Sequence, residues 1–186
     1  MDLKILLYKY TNYGVDEYLD EIIGGVEKVF SAAGLRVEVT VWPEVVKPPI
    51  KCFDWPRAQY NASCLTSHLR DFARLSGVSE DYYLAGIGYL DAYEPGLNFV
   101  FGLASITDKA CSVFTKRLKP TLDKGVANND LYVERVVKEV VHELGHLAGL
   151  KHCSNRECVM SFSNSVSDVD AKKRFFCEKC SRLLRS

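Results

Sequence analysis

"NNDLYVERVVKEVVHELGHLAGL", residues 128–150, decides how this chain is read. Val133, Val136, Val137, Val140, Val141, Leu144, Leu147 and Ala148 recur at the three- and four-residue steps of one helix face. Asn128, Asn129 or Asp130 can cap the start. Gly149 can take the left-handed conformation that ends a helix and turns the chain back. His142 and His146 lie four residues apart on this helix, so their rings leave one face about a turn apart, the spacing two ligands of one zinc ion require. Glu143 is offset by about 100° around the helix, beside a metal and not on it. Past the glycine turn, His152 arrives as a third ligand.

The full pattern is His142-Glu143-x-x-His146-x-x-Gly149-x-x-His152. A solvated helix face needs neither the glycine nor the third histidine, so the metal reading explains more of the pattern. Three neutral imidazoles leave the charge of zinc uncompensated and one coordination position open. Water at such a site has a pKa of about 7. With Glu143 as general base and zinc as Lewis acid on a carbonyl, the motif predicts a peptide hydrolase. The fourth histidine, His68, has no partner nearby and is read as structural or exposed.

Downstream, Cys153, Cys158, Cys177 and Cys180 form the pattern C-x4-C-x18-C-x2-C. Two short chelate loops of this kind make a four-thiolate zinc site. Four thiolates saturate the ion, so this second zinc is structural and has no open position. Because Cys153 follows His152 directly, the structural site is expected to hold the third catalytic ligand in place. Cys52, Cys64 and Cys111 lack partners at ligand spacing and are read as small buried hydrophobes.

The rest of the chain supplies a scaffold. "LKILLYK" (3–9) reads as an apolar strand, residues 15–33 as a helix closed by Gly34, and "LRVEVTVW" (35–42) as a strand. Prolines 43, 48, 49 and 56 mark 43–58 as a loop, and 61–77 as a helix follows. Strands at 82–90, 97–105 and 110–118 precede the long helix. The order predicts an α/β (α+β) fold with a mixed, mostly parallel sheet. One domain, 1–186, is expected, with a sheet-and-helix part over 1–150 and a small zinc-bound C-terminal part over 151–186.

Of the 186 residues 47% are hydrophobic and 26% charged, and 24 basic residues balance 24 acidic ones. That neutrality gives no global field toward nucleic acid or an anionic membrane. The opening "MDLKILLYKYTNYG" has an apolar run of four residues, Ile5 to Tyr8, shorter than a signal-peptide core, and no stretch approaches a membrane span. A cytoplasmic location with reduced thiols is therefore expected. The tail "KKRFFCEKCSRLLR" sets Lys172, Lys173, Arg174, Lys179, Arg182 and Arg185 against Glu178. It is read as a solvated helix face, with nucleic-acid contact the lesser alternative.

The histidine motif followed by Cys153-x4-Cys158-x-Met160 and Cys177-x-x-Cys180 closely resembles the signature of the archaemetzincins, a branch of the metzincin zinc metalloproteases. The resemblance implies a zincin-like fold, a twisted five-stranded sheet over an active-site helix. It also implies an antiparallel edge strand above the cleft, by order Asn98–Ser105, to which an extended peptide substrate can add. Met160 matches the methionine this clan places beneath the zinc. Phe162 stands where some metzincins carry a tyrosine, and it has no hydroxyl with which to stabilise an oxyanion. Two zinc ions, one catalytic and one structural, and a peptide or protein substrate are the implied partners. The alternative is a zinc-binding protein with weak or no proteolysis, acting as a peptide- or nucleic-acid-binding module. An intact Glu143 argues for the enzyme, since a pure binding module needs no base.

Overall fold

The computed structural model describes residues 2–122 and 127–185. The first half alternates β1 (Asp2–Lys9), α1 (Leu19–Ala32), β2 (Arg36–Val45), the short strands β3 (Phe53–Asp54) and β4 (Gln59–Asn61), and α2 (Ala62–Leu75). β5 (Tyr83–Gly88), β6 (Ala92–Tyr93), β7 (Gly102–Ser105) and β8 (Ala110–Phe114) lead to the long helix α3 (Asn129–Leu147). Two short helices, α4 (Val166–Ala171) and α5 (Glu178–Leu184), close the chain.

Five strands form the main sheet in the order β2-β1-β5-β8-β7. All neighbours are parallel except β7 and β8, which pair antiparallel from Gly102↔Val113 to Ser105↔Ala110. The run in β1 is apolar because both faces are covered. Leu3, Ile5 and Leu7 face a core shared with α1 and α3, while Leu6 and Tyr8 face one built on α2. Helix caps follow the residues that the physics favours: Asn61 Oδ1 accepts from the Cys64 N–H, and Asn128 Oδ1 from the Leu131 N–H.

Three expectations need correction. The predicted loop 43–58 is partly strand: β2 runs through Pro43 to Val45 at the edge of the sheet, where a missing N–H interrupts no inner ladder. β3 then pairs with β4 and β4 with β6 in a second, three-stranded sheet. The predicted edge strand Asn98–Ser105 is paired only over Gly102–Ser105, because Val100 bridges to Ala92. Finally, Cys52 and Cys64 are joined by a disulfide, where two thiols were expected. The chain between them returns Cys52, at the end of a 3-10 turn, to the first turn of α2; the compartment argument from cysteine usage does not hold for this pair.

Residues 151–185 pack into the core formed by α1 and α3. Val169, Phe176, Cys180 and Leu184 all belong to it, the Phe176 ring lies 5.2 Å from that of Phe30, and Arg185 Nη1 donates to the Ala33 carbonyl.

Candidate active site and metal centres

α3 lies against the main sheet with β7 and β8 above it, and its last two turns carry His142, Glu143 and His146. The helix ends where expected: Gly149 has φ +91°, and the Leu150 N–H closes back on the Gly145 carbonyl at 2.9 Å. The turn brings His152 back, its ring centroid 4.8 Å from that of His146 and 5.3 Å from that of His142. One ligand nitrogen from each of the three histidines lies within 4.8 Å of the others.

The tautomers are set by the backbone. His142 Nδ1 donates to the Val159 carbonyl and His146 Nδ1 to the Leu150 carbonyl, both at 2.8 Å. A carbonyl only accepts, so each Nδ1 carries the proton and each Nε2 presents a lone pair. Those two Nε2 atoms face each other at 3.1 Å. Two acceptors at that distance repel unless a cation lies between them, and tetrahedral zinc at about 2.0–2.1 Å from each nitrogen separates them by about 3.3 Å. The donor set therefore fits zinc. Burial, with the positive charge of Lys172, holds His142 well below the usual imidazole range; burial likewise lowers His146 and His152. These shifts favour the neutral imidazole, the form in which histidine can ligate a metal.

Glu143 is buried on the same helix and, with His142, His146 and His152, lines a cleft of about 340 Å³. Burial first, and then the neighbouring Glu139, push its carboxyl well above the ordinary range, while Lys172 opposes them. β7 passes directly over it. A Cβ at Gly102 would come within 2.5 Å of Glu143 Oε1, so only glycine lets the edge strand approach this closely. Met160 is fully buried, and its sulfur packs onto α3 at Gly145, where a Cβ would collide with it. Phe162 borders the cleft with its ring 5.0 Å from that of His152.

The second cluster is adjacent. One sulfur from each of Cys153, Cys158, Cys177 and Cys180 lies within 4.8 Å of the others. Cys153 Sγ is 3.8 Å from Cys177 Sγ, the edge of a tetrahedron with zinc–sulfur bonds of about 2.3 Å. Burial raises Cys177, but hydrogen bonds from the Cys180 backbone and the neighbouring thiols outweigh it and bring the group down to about 7. The two clusters share one turn. The Val159 carbonyl holds His142, while the next carbonyl, that of Met160, accepts from the Cys153 N–H at 2.9 Å.

Sequence reading missed the supporting groups. Val159 and Leu150 act through backbone carbonyls, and Gly102 through the absence of a side chain; none has a side-chain signature. The tail expectation needs correction at Lys172 and Arg174 only. Lys172 is fully buried and ion-paired to Glu139, Arg174 pairs with Glu134 and Lys173 with Glu157. Lys172 and Arg174 are taken up by acidic partners on α3, whereas Lys173, Lys179, Arg182 and Arg185 stay exposed, as a solvated face requires. His68 sits half-buried on α2, which packs on the opposite face of the sheet from α3.

Two histidines and a buried glutamate on a helix beneath a mixed sheet with an antiparallel edge, joined by a third histidine from the turn beyond, define a zinc-metallopeptidase architecture. The sequence model of peptidase family M54 matches residues 3–186, and the chain belongs to that family. It is 47% identical over 135 residues to an archaemetzincin of Aeropyrum pernix, covering 73% of this chain and 70% of that one. To an archaemetzincin of Sulfolobus acidocaldarius it is 43% identical over 180 residues, 96% of this chain and 94% of the other. The crystal structure of archaemetzincin from Methanopyrus kandleri superposes with a TM-score of 0.82 at 38% identity, covering 99% of this chain and 94% of that one. The chain is a zinc metallopeptidase acting on peptides or proteins, and among its described residues no helix is long and apolar enough to cross a membrane.

Proposed function

We propose that this peptidase binds its catalytic zinc through His142, His146 and His152 and uses Glu143 as general base on the attacking water. The observation that carries the reading is the pair of facing Nε2 lone pairs beside a buried carboxylate at the floor of the cleft. When bound, zinc supplies a Lewis acid for the scissile carbonyl and lowers the pKa of its water to about 7. The chain supplies the remainder. β7 is an edge strand, so its outer N–H and C=O groups can hold an extended peptide by strand addition. Gly102 keeps that peptide's path close to Glu143. Glu143, lining the cleft beside the three histidines, accepts the proton of the water and then releases it to the leaving amine.

A second zinc on Cys153, Cys158, Cys177 and Cys180 is structural in this account, which gives two ions per chain. Four cysteines kept as zinc ligands and a free Cys111 support a reducing, cytoplasmic setting, against which the Cys52–Cys64 disulfide stands. The test is Glu143→Gln, which keeps shape and leaves the three histidines intact. Zinc content is expected to stay unchanged while cleavage of a peptide library falls about 10²-fold or more. Activity within a few-fold of the parent removes Glu143 from the chemistry.

A further inference from the structure

Lys172 is the most deeply buried charged side chain of the described residues, at 0% side-chain exposure, and it lies in the segment that follows the zinc-site turn. Its Nζ is 2.9 Å from Glu139 Oε1 and donates at 3.4 Å to the Ser161 carbonyl. One partner lines the cleft, and the other follows the turn that holds a histidine ring. Glu139 lies on α3 one turn before Glu143 and lines the same cleft. Ser161 follows Val159 and Met160, whose carbonyls hold the His142 ring and the Cys153 N–H.

The neighbouring contacts align the segment for this purpose. Lys138 Nζ donates to the Val169 carbonyl at 3.0 Å, Arg135 makes a two-point pair with Asp170 at 2.7 Å, and Arg174 pairs with Glu134. Residues 134, 135, 138 and 139 form one stripe of α3, and residues 169–174 lie along it. A seam of three contacts already fastens the segment to the helix, so the fourth, buried pair is not needed for attachment. Nor is stability its obvious purpose, because a buried ion pair is commonly replaceable by apolar groups without loss.

We propose that Lys172 is a positioning residue for catalysis, clamping Glu139 on the cleft floor to the Ser161 carbonyl and so fixing α3 against the turn that orients His142. Its charge faces the buried carboxylate of Glu139, one helical turn before Glu143. The role rests on the peptidase reading above, in which α3 and that turn carry the reacting groups.

The experiment compares the parent with Lys172→Met, Lys172→Arg and the apolar pair Glu139→Leu/Lys172→Met. Each is measured for thermal midpoint, for the visible spectrum of cobalt loaded at the histidine site with zinc left on the thiolates, and for kcat and KM on one quenched-fluorescent peptide that the parent cleaves. Lys172→Met strands a buried carboxylate and is expected to lose stability; the double variant removes both charges and is expected to recover the midpoint. The double variant is nevertheless expected to show a displaced cobalt spectrum and a kcat lower by about 10-fold or more, with KM within about two-fold, the scale of loss when groups supporting metal ligands are removed. A folded double variant with the parent's spectrum and kcat overturns the proposal. If the double variant does not fold, Lys172→Arg decides, because it keeps the charge but replaces the compact ammonium with a bulkier planar fork. Intermediate kcat with a displaced spectrum supports the clamp, and parent values overturn it. Should the parent cleave no peptide, the peptidase reading fails, while the cobalt spectra still judge the clamp.

Discussion

At Gly102 the edge strand passes so near Glu143 that the smallest side chain would strike the carboxylate. Gly102→Ala is therefore expected to push the base or the strand aside. Turnover should fall by about 10-fold or more, since misplacement of reacting groups by about an ångström is costly, while the histidines keep their zinc. Unchanged kcat with zinc retained would show that the approach has no catalytic consequence. The histidines carry a second expectation. Burial lowers all three in the folded, zinc-free chain, so the unfolded chain binds more protons as pH falls below about 6.5. Stability is then fully present above that pH and is lost as acid drives the pH toward the lowered folded values. Urea midpoints of zinc-depleted protein should fall from pH 7.5 to pH 5.5 and should fall less when all three histidines are replaced by glutamine. At this scale the sequence was legible wherever a side chain carries its own signature: three histidines and four cysteines that the structure gathers into two clusters, and a glutamate that lines the histidines' cleft. It was silent on Val159 and Leu150, because any residue has a carbonyl, and it misled at Lys172, because a lysine in a basic tail normally lies in water.

α3 was readable end to end because apolar spacing, an asparagine cap and a terminal glycine agree on one element. β7 was readable in place but not in length: the apolar run continues through Phe99–Phe101, and only the bridge from Val100 to Ala92 shows that this part leaves the sheet. The strand end of β2 was hidden by Pro43, whose penalty disappears at an edge. The turn 158–161 is the element that joins the two clusters, so its support can be tested from a distance. Cys177→Ser/Cys180→Ser removes two thiolates at the start of α5 without touching a histidine. With circular dichroism showing a folded main domain, histidine-site zinc affinity is expected to weaken by about 10-fold or more, as when ligand-supporting groups are lost elsewhere. Full affinity would mean that the clusters are neighbours without mechanical connection.

Across the whole molecule the sheet places its edge over one helix, and everything after that helix returns to brace it. The alternation of strands and helices conveyed this architecture from sequence, but not the disulfide, because twelve residues of separation between Cys52 and Cys64 match no local motif. Cys52→Ala/Cys64→Ala is expected to destabilise the fold by about 2–3 kcal/mol, the scale for closing a loop of this size, while leaving peptide cleavage intact. Denaturant unfolding and a cleavage assay check both parts. The central claim is that one zinc on three neutral histidines makes the peptidase, while a second on four thiolates only holds the frame. Its most direct test is a chelator titration following zinc per chain by elemental analysis, peptide cleavage and circular dichroism together. Starting from two zinc ions, the account predicts that the first lost comes from the histidines, because three neutral ligands hold it less tightly than four anionic ones. Cleavage should fall in proportion, with the fold intact. Cleavage that survives loss of the first ion, or a first loss that unfolds the chain, would contradict it.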